Sequence, residues 1–139
     1  MINNNYVPEW YVTPFDHSKY TLVRNQDQFD VLYDNINETD KFLSLGCSAQ
    51  VDYYDDGREC IVQLGETEGK SLITIYGLLL HEAVHIWQRT KLLMGEREPS
   101  VEFEAYSIQR IAQDLFFMYQ ESEVEDGLDK QTNELHQDS

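Results

Sequence analysis

The sequence predicts an α+β domain, and three observations carry that expectation. Residues Ser48 to Leu64 alternate in polarity around an Asp56-Gly57 dipeptide, the signature of a two-residue β-hairpin turn. Residues Gly77 to Gln88 form an apolar run of helical character. A second helical pattern starts near Pro99 and carries Val101 to Phe117, and proline suits a first helical turn. Only the short stretch Gly95-Glu96-Arg97-Glu98 separates the two helical patterns, so the helices are expected to pack antiparallel.

Taken in order, Trp10 to Thr13 and Tyr20 to Val23 read as short strands. Asn25 is placed to cap a helix from about Gln26 to Ile36, whose Phe29, Leu32, Tyr33 and Ile36 share one face. Phe42 to Leu45 resumes an extended pattern into the hairpin. A turn centred on Asp56-Gly57 pairs residues whose numbers sum to 113, setting Ala49 opposite Leu64, Val51 opposite Val62 and Tyr53 opposite Cys60. In that register Cys47 falls far from Cys60, so reduced thiols are expected, and without a Cys-x-x-Cys spacing neither is a zinc-ligand candidate.

At 139 residues and 41% hydrophobic content the chain can bury one real core, expected over residues 1-120. Residues 121-139 hold Glu121, Glu123, Glu125, Asp126, Asp129, Glu134 and Asp138 against one Lys130, a composition expected to form a disordered acidic tail. No apolar run reaches bilayer length and Met1 to Asn5 lacks the features of a signal peptide, so a cytoplasmic location without a membrane partner is expected. With 26 acidic and 10 basic residues the net charge is −16, which opposes binding to phosphate backbones and anionic lipid. The acidity either keeps a small protein soluble or meets a basic partner.

The sharpest chemical signal is His81-Glu82-Ala83-Val84-His85 inside the apolar run. Residues four apart on an α-helix lie about 40° apart around its axis, so both imidazoles can grip one tetrahedral metal ion. Glu82 is placed to reach a metal-bound water as general base. Leu78, Leu79, Leu80, Val84, Ile86 and Trp87 make the helix apolar nearly all round, a pattern expected of a buried helix in which polar groups need partners. A third protein ligand is required, and His17 and His136 sit in polar surroundings unsuited to a rigid site. Glu102 and Glu104 are the competing candidates; two residues apart on a helix, only one can face the metal. If Glu102 faces inward, Ala105, Tyr106 and Gln109 accompany it; if Glu104 does, Ser107, Ile108 and Ile111 do.

These two segments, His81 to His85 and then Glu102-Phe103-Glu104-Ala105-Tyr106, resemble the gluzincin clan of zinc metallopeptidases, and most closely its small single-domain minigluzincins. The resemblance covers about Gly77 to Gln113 and favours Glu102 as the third ligand, on the clan's Glu-x-x-(Ala/Ser)-Asp pattern; Tyr106 stands where the clan has aspartate. It implies a small twisted, mostly antiparallel sheet packed on the long helix, an edge strand beside the metal onto which an extended substrate adds, and Zn²⁺ as cofactor. Glu59 to Leu64 is the candidate edge strand. Two functions follow as expectations. One is a zinc metallopeptidase acting on a peptide or protein substrate. The other is a catalytically silent acidic interaction protein on the same fold that blocks a basic or nucleic-acid-binding partner.

Overall fold

The computed structural model describes residues 1–13, 17–32, 41–43 and 47–124. Their order is β1 (Tyr11–Val12), β2 (Lys19–Val23), α1 (Gln26–Leu32), β3 (Ala49–Tyr54), β4 (Glu59–Leu64), α2 (Leu72–Leu93) and α3 (Val101–Ser122), which is an α+β architecture. Asn25 Oδ1 accepts the Gln28 N–H at 2.9 Å and so caps α1 as its side chain suits it to do. The expected extension of that helix through Tyr33 and Ile36 lies outside the described residues, as do Ser44 and Leu45 of the expected extended run; its described part, Phe42 and Leu43, forms a bend instead of a strand, with Leu43 at φ 31°.

The hairpin register is the expected one, with Ala49 opposite Leu64, Val51 opposite Val62 and Tyr53 opposite Cys60. At the turn Asp56 (φ 58°, ψ 30°) and Gly57 (φ 89°) both adopt the left-handed region, and the Arg58 N–H closes onto the Asp55 carbonyl at 3.1 Å. Two central residues with positive φ match the right-handed twist of the flanking strands. The positive φ favours glycine at position 57; a Cβ there would also lie 2.9 Å from the Arg89 side chain, which would have to move aside.

The four strands form one sheet in the order β1-β2-β4-β3. Its outer pairs are antiparallel, whereas β2 and β4 run parallel, so the sheet is mixed. The connection from β2 through α1 and β3 to β4 is long enough for such a crossover. This order corrects the edge-strand expectation: β4 is interior, Cys60 to Leu64 are buried, and among the described residues the edges of the sheet are β1 and β3.

Strand alternation sorts the core. Tyr20, Leu22, Cys60, Val62 and Leu64 face α2 and α3, joining Leu79, Ile86, Ile111 and Leu115; Val23 and Ile61 point the other way onto Phe29 of α1. Ser71 and Ser100 cap the long helices, accepting the Thr74 and Phe103 N–H at 3.1 and 3.2 Å. Tyr76 stacks on Phe116 with centroids 4.6 Å apart, and Trp87 meets Phe103 at 5.7 Å, so α2 and α3 run antiparallel.

The ordered domain extends past residue 120. Ser122 is fully buried, its hydroxyl accepts from Arg24 Nη1 at 2.8 Å, Glu123 lies 3.7 Å from the same guanidinium, and Val124 N–H donates to the Met1 carbonyl at 2.9 Å. Residues 121–124 thus belong to the fold and not to a tail beginning at 121, and residues 125–139, His136 among them, lie outside the described residues. Cys47 is exposed, Cys60 is buried and both are free thiols; burial pushes the Cys60 thiol up to about 12, which leaves it unreactive. No helix among the described residues is long and apolar enough to cross a membrane.

Candidate metal centre

Residues 81 to 85 occupy the middle of α2. One helical turn brings the His81 and His85 rings to a centroid separation of 4.7 Å with their Nε2 atoms 3.1 Å apart. Two nitrogens at zinc-bonding distance on a tetrahedral ion stand about 3.3 Å from each other, so the pair fits one metal ion with little adjustment. His85 Nδ1 lies 3.0 Å from Gln88 Oε1. Donation of the Nδ1 proton to that amide oxygen leaves the Nε2 lone pair directed outward, the tautomer a metal ligand needs. The Tyr53 hydroxyl donates to the His85 carbonyl at 3.3 Å, which ties this turn of α2 to edge strand β3.

Glu82 sits one position round the helix from the imidazoles and is only 5% exposed. Burial raises its carboxyl above the ordinary carboxylate range; the neighbouring imidazoles pull it back, and Asp52 on β3 adds to the rise. Asp52 in turn accepts hydrogen bonds from the Gln63 and Gln50 amides. A buried carboxyl beside two imidazoles, one exposed and one half-buried, is a group that can take up and release a proton near a molecule held at the helix surface.

None of the described residues is brought to the pair as a third ligand. Among the described residues no three His, Cys, Asp or Glu side chains stand together as a metal-holding group. Glu102 is exposed in the first turn of α3, as are Ala105, Tyr106 and Gln109, while Ser107 and Ile111 are buried. The phase of α3 is therefore the one that turns Glu104 inward, contrary to the expectation that Glu102 faces the metal. Glu104 is occupied elsewhere: its Oε2 accepts the Trp87 Nε1–H at 2.9 Å and lies 3.9 Å from Lys91 Nζ. The reason is geometric. At 100° per residue, Tyr76 and Trp87, which touch α3, lie about 120° to 180° from the imidazoles, so α3 packs on the far side of α2 from them.

Sequence reasoning also missed Gln88 and Asp52. Gln88 is one turn beyond His85 and could be found by asking which acceptor an imidazole Nδ1 can reach along its own helix. Nothing local announces Asp52, because its proximity to Glu82 depends on how β3 packs across α2. Compared with known proteins, the chain matches no family model, and no curated protein or solved structure is significantly similar to it.

Proposed function

We propose that the protein hydrolyses peptide bonds with the help of a zinc ion, with His81 and His85 as metal ligands and Glu82 as general base. The observation that carries this reading is the convergence of two imidazole Nε2 atoms at 3.1 Å beside a buried carboxylate on the adjoining helix position. Bound zinc would supply a Lewis acid that polarises the scissile carbonyl and acidifies water. The chain's own residues supply the rest. Glu82 accepts the proton of the attacking water and returns it to the departing amine. Gln88 keeps His85 in the required tautomer, and Tyr53 holds the backbone of that turn. The free edge of β3 lies beside this turn, where an extended peptide can add by main-chain pairing, and a net charge of −16 favours a basic one.

The acidity together with a two-ligand donor set supports a second reading, an acidic protein that binds and blocks a basic partner without catalysis. One experiment separates them. Zinc-loaded wild type and Glu82→Gln are incubated with a mixed peptide library, and zinc content is measured alongside. Both should hold zinc, with cleavage lower by about 10² to 10⁴ in the variant; His81→Ala and His85→Ala should lose the metal, and Glu102→Ala should keep it. A zinc-loaded wild type that cleaves no peptide would leave the binder as the better reading.

A further inference from the structure

We infer that the outer face of α2 is a self-association surface on which one zinc ion joins two copies of the chain through His81 and His85 of each. The inference shares with the proposed function only the assignment of the two histidines as ligands.

The face is unusual for its chain. Ile73 is 84% exposed, Leu92 70% and Leu80 44%, and with Val84 they flank the imidazoles along five turns. Charge is sparse along this strip rather than absent: of the charged residues of α2, Glu82 is buried, Arg89 lies over the Tyr53 ring at 4.4 Å, and Lys91, in line with Ile73 and Val84, is neutralised by Glu104 at 3.9 Å. Gly77, one turn before His81, has nothing within 4 Å of where a Cβ would stand, so another helix can approach closely there. Exposed apolar surface depleted of charge is the composition of an interface core.

Charge and coordination together point to a second copy as the occupant. A basic partner is drawn to uncompensated carboxylates, and the one beside this strip, Glu104, is already held by Lys91 and Trp87, whereas two copies carrying −16 each approach best where net charge is lowest. Their own chain brings the two imidazoles no third ligand among the described residues. A two-fold axis beside them doubles the donor set to four imidazole nitrogens, a closed tetrahedral site. Such a site has no position for substrate, so the joined form is a store and the separate chain is the form open to chemistry.

Sedimentation velocity of the full chain, stripped with chelator and then titrated with zinc, tests this. The stripped protein should sediment as a monomer, the dimer should peak at one zinc per two chains, and excess zinc should return monomers as each copy takes its own ion. His81→Ala should remain monomeric throughout, Leu80→Glu should need at least tenfold more protein to dimerise, and Glu102→Ala should dimerise as wild type does. Chains that bind one zinc each and stay monomeric at every ratio would overturn the inference and leave the hydrolase reading standing. Dimers that persist without zinc, or in His81→Ala, would overturn the metal bridge. Zinc-dependent dimers of a protein that cleaves no peptide would uphold the bridge and remove the hydrolase.

Discussion

The two sides of α2 are both apolar, yet they have opposite fates. One side buries Ile75, Leu79, Ala83, Ile86 and Trp87 against the sheet and α3; the other leaves Ile73, Leu80 and Leu92 in solvent around two histidines. Apolarity all round a helix is the expected mark of burial. Here it marks a helix buried on one side and unpartnered on the other, with the polar chemistry on the open side. The contrast separates residues that hold the fold from residues available to a ligand or a second copy.

The largest expected effect tests that separation directly. Leu79 is fully buried, so Leu79→Ala should cost about 2 to 5 kcal/mol through lost transfer energy and the cavity left behind. On the open side, Ile73→Ser and Leu92→Ser should each change the stability of the metal-free monomer by no more than about 0.5 kcal/mol. Urea denaturation of the three variants measures both. A loss comparable to that of Leu79→Ala at Ile73 or Leu92 would show that the open side is covered within the single chain.

A smaller effect applies the same contrast to α3. Trp87 is buried and its indole N–H has Glu104 as acceptor, so Glu104→Ala strands a buried donor and should cost about 1 to 2 kcal/mol. Glu102, exposed two residues earlier, should be replaceable by Ala within about 0.5 kcal/mol. Thermal melts of the two variants side by side give the answer. Equal destabilisation would mean that α3 sits at a different rotation.

How far the sequence was legible follows from how local each feature is. The hairpin register was fully readable, because Asp56-Gly57 specifies a turn and the turn specifies every pair from Tyr54-Glu59 to Ala49-Leu64. That β4 lies inside the sheet was not, since its pairing with β2 joins strands separated by a helix and a hairpin. The rotation of α3 was written in the spacing of Ser107, Ile111, Leu115 and Met118, all of them buried; a family pattern favouring Glu102 pointed the other way, and the apolar stripe prevailed. The end of the domain was obscured by its chemistry. Ser122 and Glu123 resemble tail residues in composition, and partners distant in sequence, Arg24 and the N-terminal residues Met1 to Asn3, give them a place in the fold. The paired histidines were legible because a single helical turn suffices to assemble them, whereas a third ligand depends on packing between elements.

The smallest expected effect concerns Glu82, which stands on the boundary between the two sides of α2. Its carboxyl titrates near 4.3 when unfolded and higher when folded, chiefly because burial disfavours the ionised form. Below the unfolded value the group is protonated in both states and contributes no pH-dependent penalty. As pH rises the unfolded chain gives up its proton first, so a cost of folding develops and is complete above the folded value. Glutamine carries no such charge. In chelator-treated protein Glu82→Gln should therefore melt above wild type at pH 7, and the gap should close as the pH is lowered to about 4. Zinc on the adjoining imidazoles opposes the effect, since a cation favours the ionised carboxylate, so loading the metal should narrow the gap at pH 7. A metal-free variant that melts below wild type at pH 7 would show the carboxylate making a favourable contact inside the fold, and Glu82 would then belong to the side of α2 that holds the structure together.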